Sequence, residues 1–162
     1  MVEMVVHTLV RDARDAANNI VVVLKEREGK RALPIVIGAH EAHAIFCELR
    51  NIKPQRPLTH DLMCSILEEL EVQLARVVVH DLRENIYYAL LVLINNGNEQ
   101  EVDSRPSDAI ALALRVGAPI FVADKVMEEA TVSLQEESEE TQSEADERFR
   151  AIVGDLDLDD MS

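Results

Sequence analysis

The chain has no tryptophan, and its aromatic residues number only three phenylalanines and two tyrosines. A protein that holds single strands mainly by stacking bases on aromatic rings is therefore a poor fit. The core has to be aliphatic. Cysteine is nearly absent as well. Cys47 and Cys64 both fall on apolar helical faces and read as free thiols in a reducing, cytoplasmic setting rather than as a disulfide or metal pair. No stretch approaches the roughly 20 apolar residues that span a bilayer. The start, Met1-Val2-Glu3-Met4-Val5-Val6, lacks the basic flank and long apolar run of a signal peptide. Positive charge is scarce: 16 Lys and Arg stand against 31 Asp and Glu, for a formal net charge of −15. Such a chain does not attract phosphate backbones from a distance. That argues against tight nonspecific nucleic-acid binding, but leaves room for an enzyme with metal ions and a local basic patch. There is also no Walker loop, Rossmann glycine fingerprint, nucleophile elbow or zinc-knuckle spacing.

What is present suits one domain with an appendage. Of 162 residues, 48% are apolar, enough for a real core. Residues 1–130 carry the apolar patterning. Residues 131–162 hold eleven acids and two arginines, a net of −9. Within that appendage, 131–143 reads as a solvated linker, 144–153 as a short amphipathic helix through Phe149, Ile152 and Val153, and the close as a flexible tail. The tail has two readings: docked over basic residues of the domain, or merely solubilising.

In the main domain, Val2 to Val10 reads as a strand, and Ile20 to Lys25 with Arg31 to Ile37 as a hairpin across Glu28-Gly29. Ala39 to Arg50 has helical spacing in Ala42, Ile45, Phe46 and Leu49. After a Pro-broken loop, Thr59 is placed to cap a second helix whose Leu62, Ile66, Leu67 and Leu70 would point inward. Val72 to Leu82 is a strand. Ile86 to Asn95 and Glu99 to Asp103 form a hairpin over Asn96-Gly97, a strong turn signal. Asp103 and Ser104 can then cap a small-residue helix that opens at Pro106 and ends at Gly117. A short strand, Ile120 to Ala123, and a last helix from Asp124 complete the domain. The fold class expected is α+β, with a mixed, mostly antiparallel sheet and about four helices. An offset of 67 places Glu41 on Asp108, Ala42 on Ala109 and Ile45 on Leu112, which has two readings: a duplicated strand-hairpin-helix unit, or the likeness that any two strand-to-helix junctions share.

Three segments carry a family resemblance. They are Val102-Asp103-Ser104-Arg105-Pro106-Ser107-Asp108-Ala109-Ile110-Ala111, Leu33-Pro34-Ile35-Val36-Ile37-Gly38-Ala39-His40-Glu41-Ala42, and Arg56-Pro57-Leu58-Thr59-His60-Asp61-Leu62. In order and spacing they resemble the bifunctional nuclease family, also known as a domain of unknown function. The resemblance covers roughly residues 2 to 130. It implies a hydrolase of DNA and RNA phosphodiesters, with nucleic acid as partner. The family motif rests on Gly38 and Glu41 rather than on the neighbouring His40 and His43, whose i, i+3 spacing is not that of a zinc protease helix.

A hydrolytic nuclease needs a water activator, a cation for the transition-state charge and usually one or two divalent ions on carboxylates. His60, Asp61, Asp103, Arg105 and Asp108 are the candidate catalytic residues. Glu41, Asp61, Asp103 and Asp108 are the candidate oxygen ligands for Mg²⁺ or Mn²⁺. Arg105 is suited to clamp a phosphate bidentately. Two basic groups can track a backbone: Lys25, Arg27, Lys30 and Arg31 on the first hairpin, and Arg50, Lys53 and Arg56 in the Pro-rich loop. The rival reading is a non-enzymatic interaction or regulatory module, in which Arg105 and the aspartates only fasten the junction and His60 only locks its loop. A homo-oligomer, with a two-fold dimer foremost, is expected from the sheet edges such a domain leaves.

Overall fold

The computed structural model describes residues 1–12, 16–17 and 19–133. The expected helix at 144–153 and the acidic tail lie outside the described residues. The elements run β1 (Val2–Arg11), β2 (Ile20–Glu26), β3 (Arg31–Ile37), α1 (Ala39–Leu49), α2 (Thr59–Glu69), β4 (Gln73–Arg83), β5 (Ile86–Asn95), β6 (Asn98–Ser104), α3 (Pro106–Val116), β7 (Ile120–Val122), α4 (Asp124–Ala130) and β8 (Val132–Ser133). The α+β expectation holds. One eight-stranded sheet has the order β6-β5-β4-β7-β1-β2-β3-β8. Its pairings are antiparallel except β4 with β7.

Two antiparallel meanders, β1-β2-β3 and β4-β5-β6, flank β7, and each feeds a helix. The 67-residue offset carries Arg31–Ile37 onto Asn98–Ser104 and Ala39–Leu49 onto Pro106–Val116, with equal lengths in both pairs. The hairpin turn at Asn96-Gly97 forms as its residues dictate, with φ of 49° and 78°. The sheet curls strongly. Tyr87 on β5 donates its hydroxyl to the Pro34 carbonyl on β3 at 3.3 Å, although four strands separate them in the sheet order. β8 adds to this edge, pairing Arg31 with Ser133 and Ala32 with Val132. The last residues before the tail are therefore strand, where a solvated linker was expected from residue 131.

The core is aliphatic apart from Phe46. Met4, Leu24, Leu33, Ile45, Ile110, Leu112 and Met127 are its largest fully buried side chains. In α3, Ala109 to Ala113 are all buried, because alanines let the helix lie close to β4 and β5 on one side and α1 and α2 on the other. Gly117 ends α3 at φ 70°, a left-handed conformation that a residue without Cβ adopts at no steric cost. Among the described residues no helix is long and apolar enough to cross a membrane.

Three local expectations are corrected. Ser104 does not cap α3, because it stays in the sheet opposite Ala89 and Arg105 takes the N-cap position. Thr59 is already helical. Its predecessor Leu58 is the N-cap, and the Leu58 N–H donates to Asp61 Oδ2 at 2.8 Å. Finally, α2 docks by the narrow stripe of His60, Cys64 and Leu67. Leu62, Ile66 and Leu70, about a third of a turn away, point outward and are 54%, 48% and 65% exposed.

Candidate active site at the paired helix starts

Each of the three larger helices begins with an extended N-cap residue and carries an acid three positions later: Gly38 and Glu41, Leu58 and Asp61, Arg105 and Asp108. A carboxylate there is favoured by the exposed N–H groups and the positive helix end. Since α1 and α3 are equivalent elements packed side by side, Glu41 and Asp108 come to the same place. Arg105 joins them. Its Nε donates to Asp108 Oδ2 at 2.8 Å and its Nη2 to Glu41 Oε1 at 2.8 Å. His60, at the start of α2, sets Nε2 2.8 Å from Asp108 Oδ1 and is itself buried. Both oxygens of Asp108 are thus held.

Two features shape this cluster further. A Cβ at Gly38 would sit 2.3 Å from Glu41 Oε2, so the absent side chain lets the carboxylate fold back over the N-cap. The Arg105 side chain is 65% exposed. It stands at the edge of an open cleft of about 660 Å³, whose lining includes Pro34, Val36, Leu82, Ile86 and Tyr87. Arg105 is the one charged side chain among the residues that line it.

Burial alone would raise the pKa of Asp108. The hydrogen bonds from Arg105 and His60, with the Arg105 charge, outweigh it and hold the group below its ordinary value. Glu41 behaves likewise: burial opposes ionisation, but its own backbone N–H and Arg105 prevail. Both are carboxylates at neutral pH. A lowered folded-state pKa stabilises the fold above the unfolded value, and that contribution is lost as pH falls through the folded value. Thermal unfolding should therefore separate wild type from Asp108→Asn at roughly pH 7, with the gap starting to close below about pH 4 and gone once the pH is under the lowered folded value. A gap that stays constant into acid would show that the Asp108 charge contributes nothing to stability.

The other candidates are placed elsewhere. Asp61 belongs to a lock between helices. It accepts from Leu58 N–H and from Arg115 Nε at 2.7 Å. Burial works against its ionisation, but those two donors and the charges of Arg115 and Lys53 lower its pKa. Asp103 is exposed on β6, paired across to Leu90. The four carboxylates Glu41, Asp61, Asp103 and Asp108 are therefore not gathered as one set. Among the described residues no group of three or more His, Cys, Asp or Glu side chains is arranged to hold a metal. Where Glu41 and Asp108 do converge, the cation between them is Arg105. The residues as placed do not fit Mg²⁺ or Mn²⁺.

The basic hairpin lies at the far end of β3, about 20 Å along a seven-residue strand from Gly38. Arg27 is paired with Glu3, and Arg31 with Glu26. Lys25, Arg27, Lys30 and Arg31 are not brought to the cleft. Lys53 and Arg56 are exposed in the loop that leads into α2, and Arg50 follows the last residue of α1. His43 points down α1, with Nε2 3.6 Å from Cys47 Sγ. Both cysteines are free, Cys47 buried and Cys64 half-buried. Burial raises both thiol pKa values.

Reading the sequence for chemistry overlooked Arg115, whose side chain is 5% exposed. The available signal was an arginine in the last turn of a helix that is otherwise apolar inside. It also overlooked Asp81, which Lys125 and Arg83 hold down to a pKa of about 2. No local pattern announces that trio.

A model of the bifunctional nuclease domain matches residues 22–135. An uncharacterized protein of Mycobacterium tuberculosis is 39% identical over 148 residues, 88% of each chain. Bifunctional nuclease 1 of rice (Oryza sativa subsp. japonica) is 32% identical over 117 residues, covering 70% of this chain and 35% of that protein. Bifunctional nuclease 1 of Arabidopsis thaliana is 33% identical over 116 residues, covering 67% and 34%. The chain thus spans about a third of the length of these plant relatives.

Proposed function

The chain belongs to the bifunctional nuclease domain family, and on that footing we propose that it hydrolyses phosphodiesters of DNA and RNA at the cluster of Glu41, Arg105, Asp108 and His60. The observation that carries this reading is the state of Arg105. Two of its five N–H donors hold Asp108 and Glu41. The remaining three are not taken up by those two carboxylates, and Arg105 lines a cleft large enough for a nucleotide-sized group. A phosphate bound there meets a guanidinium already oriented by two carboxylates. Pre-set orientation of this kind stabilises the charge that builds on the phosphoryl oxygens in the transition state.

The rest of the cluster follows from that placement. Water attacks phosphorus, the P–O ester bond breaks, and the proton lost by water passes by way of a carboxylate to the leaving oxygen. Glu41 is the carboxylate assigned to that relay: Arg105 bonds its Oε1, and its own backbone N–H holds the group over the start of α1. His60 is enclosed and acts through Asp108, as a positioning residue. The rival reading, a binding or regulatory module, is favoured by the acidic surface and by the saturated hydrogen bonds of Asp108.

The deciding experiment is a nuclease assay on highly purified protein, with single-stranded DNA and RNA, in Mg²⁺, Mn²⁺ and EDTA arms. Asp108→Asn of verified fold runs beside the wild type. Activity in the wild type that drops about 100-fold or more in the variant supports the enzyme. Unchanged activity in the variant places the chemistry elsewhere. Loss in EDTA, restored by either ion, would assign a divalent requirement that the side chains as placed do not supply.

A further inference from the structure

We propose that the outer face of α2 is a two-fold interface between two copies of this chain, with the two helices antiparallel. The face is apolar and unpartnered: Leu62, Ile66 and Leu70 repeat every four residues, and Met63 beside them is 37% exposed. Its outward aim is imposed rather than slack, because the inner side of α2 is held to α3 at both His60–Asp108 and Asp61–Arg115. Side chains of this size on one stripe mark a docking surface more than a solvated one.

Charge identifies the occupant. The exposed loop before α2 carries Lys53 and Arg56, while its last turn and the residues just after carry exposed Glu68, Glu69 and Glu71. The helix has 11 residues and is about 16 Å long. Laid antiparallel on a copy of itself, it sets the basic end of each helix beside the acidic end of the other. A parallel pairing would instead set like charges together. The apolar stripe is centred near Ile66, so a two-fold axis there matches Leu62 of one copy with Leu70 of the other. Such an interface is self-complementary, as two-fold symmetry demands. A three-turn helix pair covers less than the roughly 800 Å² per partner of a standard interface, so the dimer should dissociate on dilution.

Light scattering on the full chain tests this. At tens of micromolar the mass should be twice 18.2 kDa, falling toward one chain on dilution. Leu62→Asp with Ile66→Asp should give a monomer with unchanged circular dichroism, both sites being surface-exposed, and a thermal midpoint that no longer depends on concentration. Lys53→Glu with Arg56→Glu should weaken association about tenfold or more. Adding Glu68→Lys, Glu69→Lys and Glu71→Lys to that variant should restore it. A monomeric wild type, as expected if some other segment or partner covers the face, overturns the proposal. So does a dimer that survives the two aspartates, or a charge reversal that the second reversal fails to rescue.

Discussion

Replacing Arg115 with leucine is expected to destabilise the fold by about 3–5 kcal/mol, the cost of removing one partner of a buried charge pair. The arginine is 5% exposed and sits at the meeting point of three helices. Its Nε donates to Asp61 on α2, its Nη1 to the Ala111 carbonyl on its own helix, and its Nη2 to the Ala44 carbonyl on α1 at 3.2 Å. Leucine fills much of the volume but leaves a carboxylate and two carbonyls short of donors. Asp61 is 25% exposed, so water can recover part of its solvation and the loss should fall near the lower figure. Equilibrium urea unfolding measures it. Removing the acid as well, in Arg115→Leu with Asp61→Leu, should return part of the stability, since no charge is then stranded. A loss under about 1 kcal/mol would mean that the three helices are held by apolar packing alone.

The second large effect is on activity. Arg105→Ala should lower kcat/KM on both DNA and RNA by about 100-fold to 1000-fold, the scale of removing a group that binds transition-state charge. Folding should suffer little, because the side chain is 65% exposed. Without it Glu41 and Asp108 face one another with no cation between, and their like charges raise both pKa values. Any activity left should then show a pH dependence shifted upward. Arg105→Lys keeps the charge but lacks the planar fork that spans two carboxylates and a phosphate, so it should recover only part of the rate. Activity of Arg105→Ala within about threefold of wild type would remove the phosphate clamp from the mechanism. A Tm loss of several degrees without loss of activity would recast the cluster as a fastening of the two helix starts.

The course of the chain was legible because its determinants are local. Alternating apolar residues, the Asn96-Gly97 turn, and Gly117 after α3 specify strands, a hairpin and a helix end whatever surrounds them. The duplicated pattern was visible for the same reason, as equal spacing in two stretches. Leu62, Ile66, Leu67 and Leu70 have the period of a buried stripe, yet of the four only Leu67 packs against the core. Period shows which residues share a side, not whether another element covers it.

The candidate site divides along the same line. Arg105 with Asp108 is an i, i+3 pair at a helix start, so helix geometry alone brings the two together. By itself the sequence determined this pair, the α+β class, the family and an aliphatic core. Only the tertiary structure decided that Glu41, 64 residues from Arg105, and His60, 48 residues from Asp108, join it. The packing of α1 and α2 on α3 also drew Asp61 away to Arg115, 54 residues along, and left Asp103 and the basic hairpin apart. Contacts at such separations depend on how whole elements pack, and no local propensity encodes that.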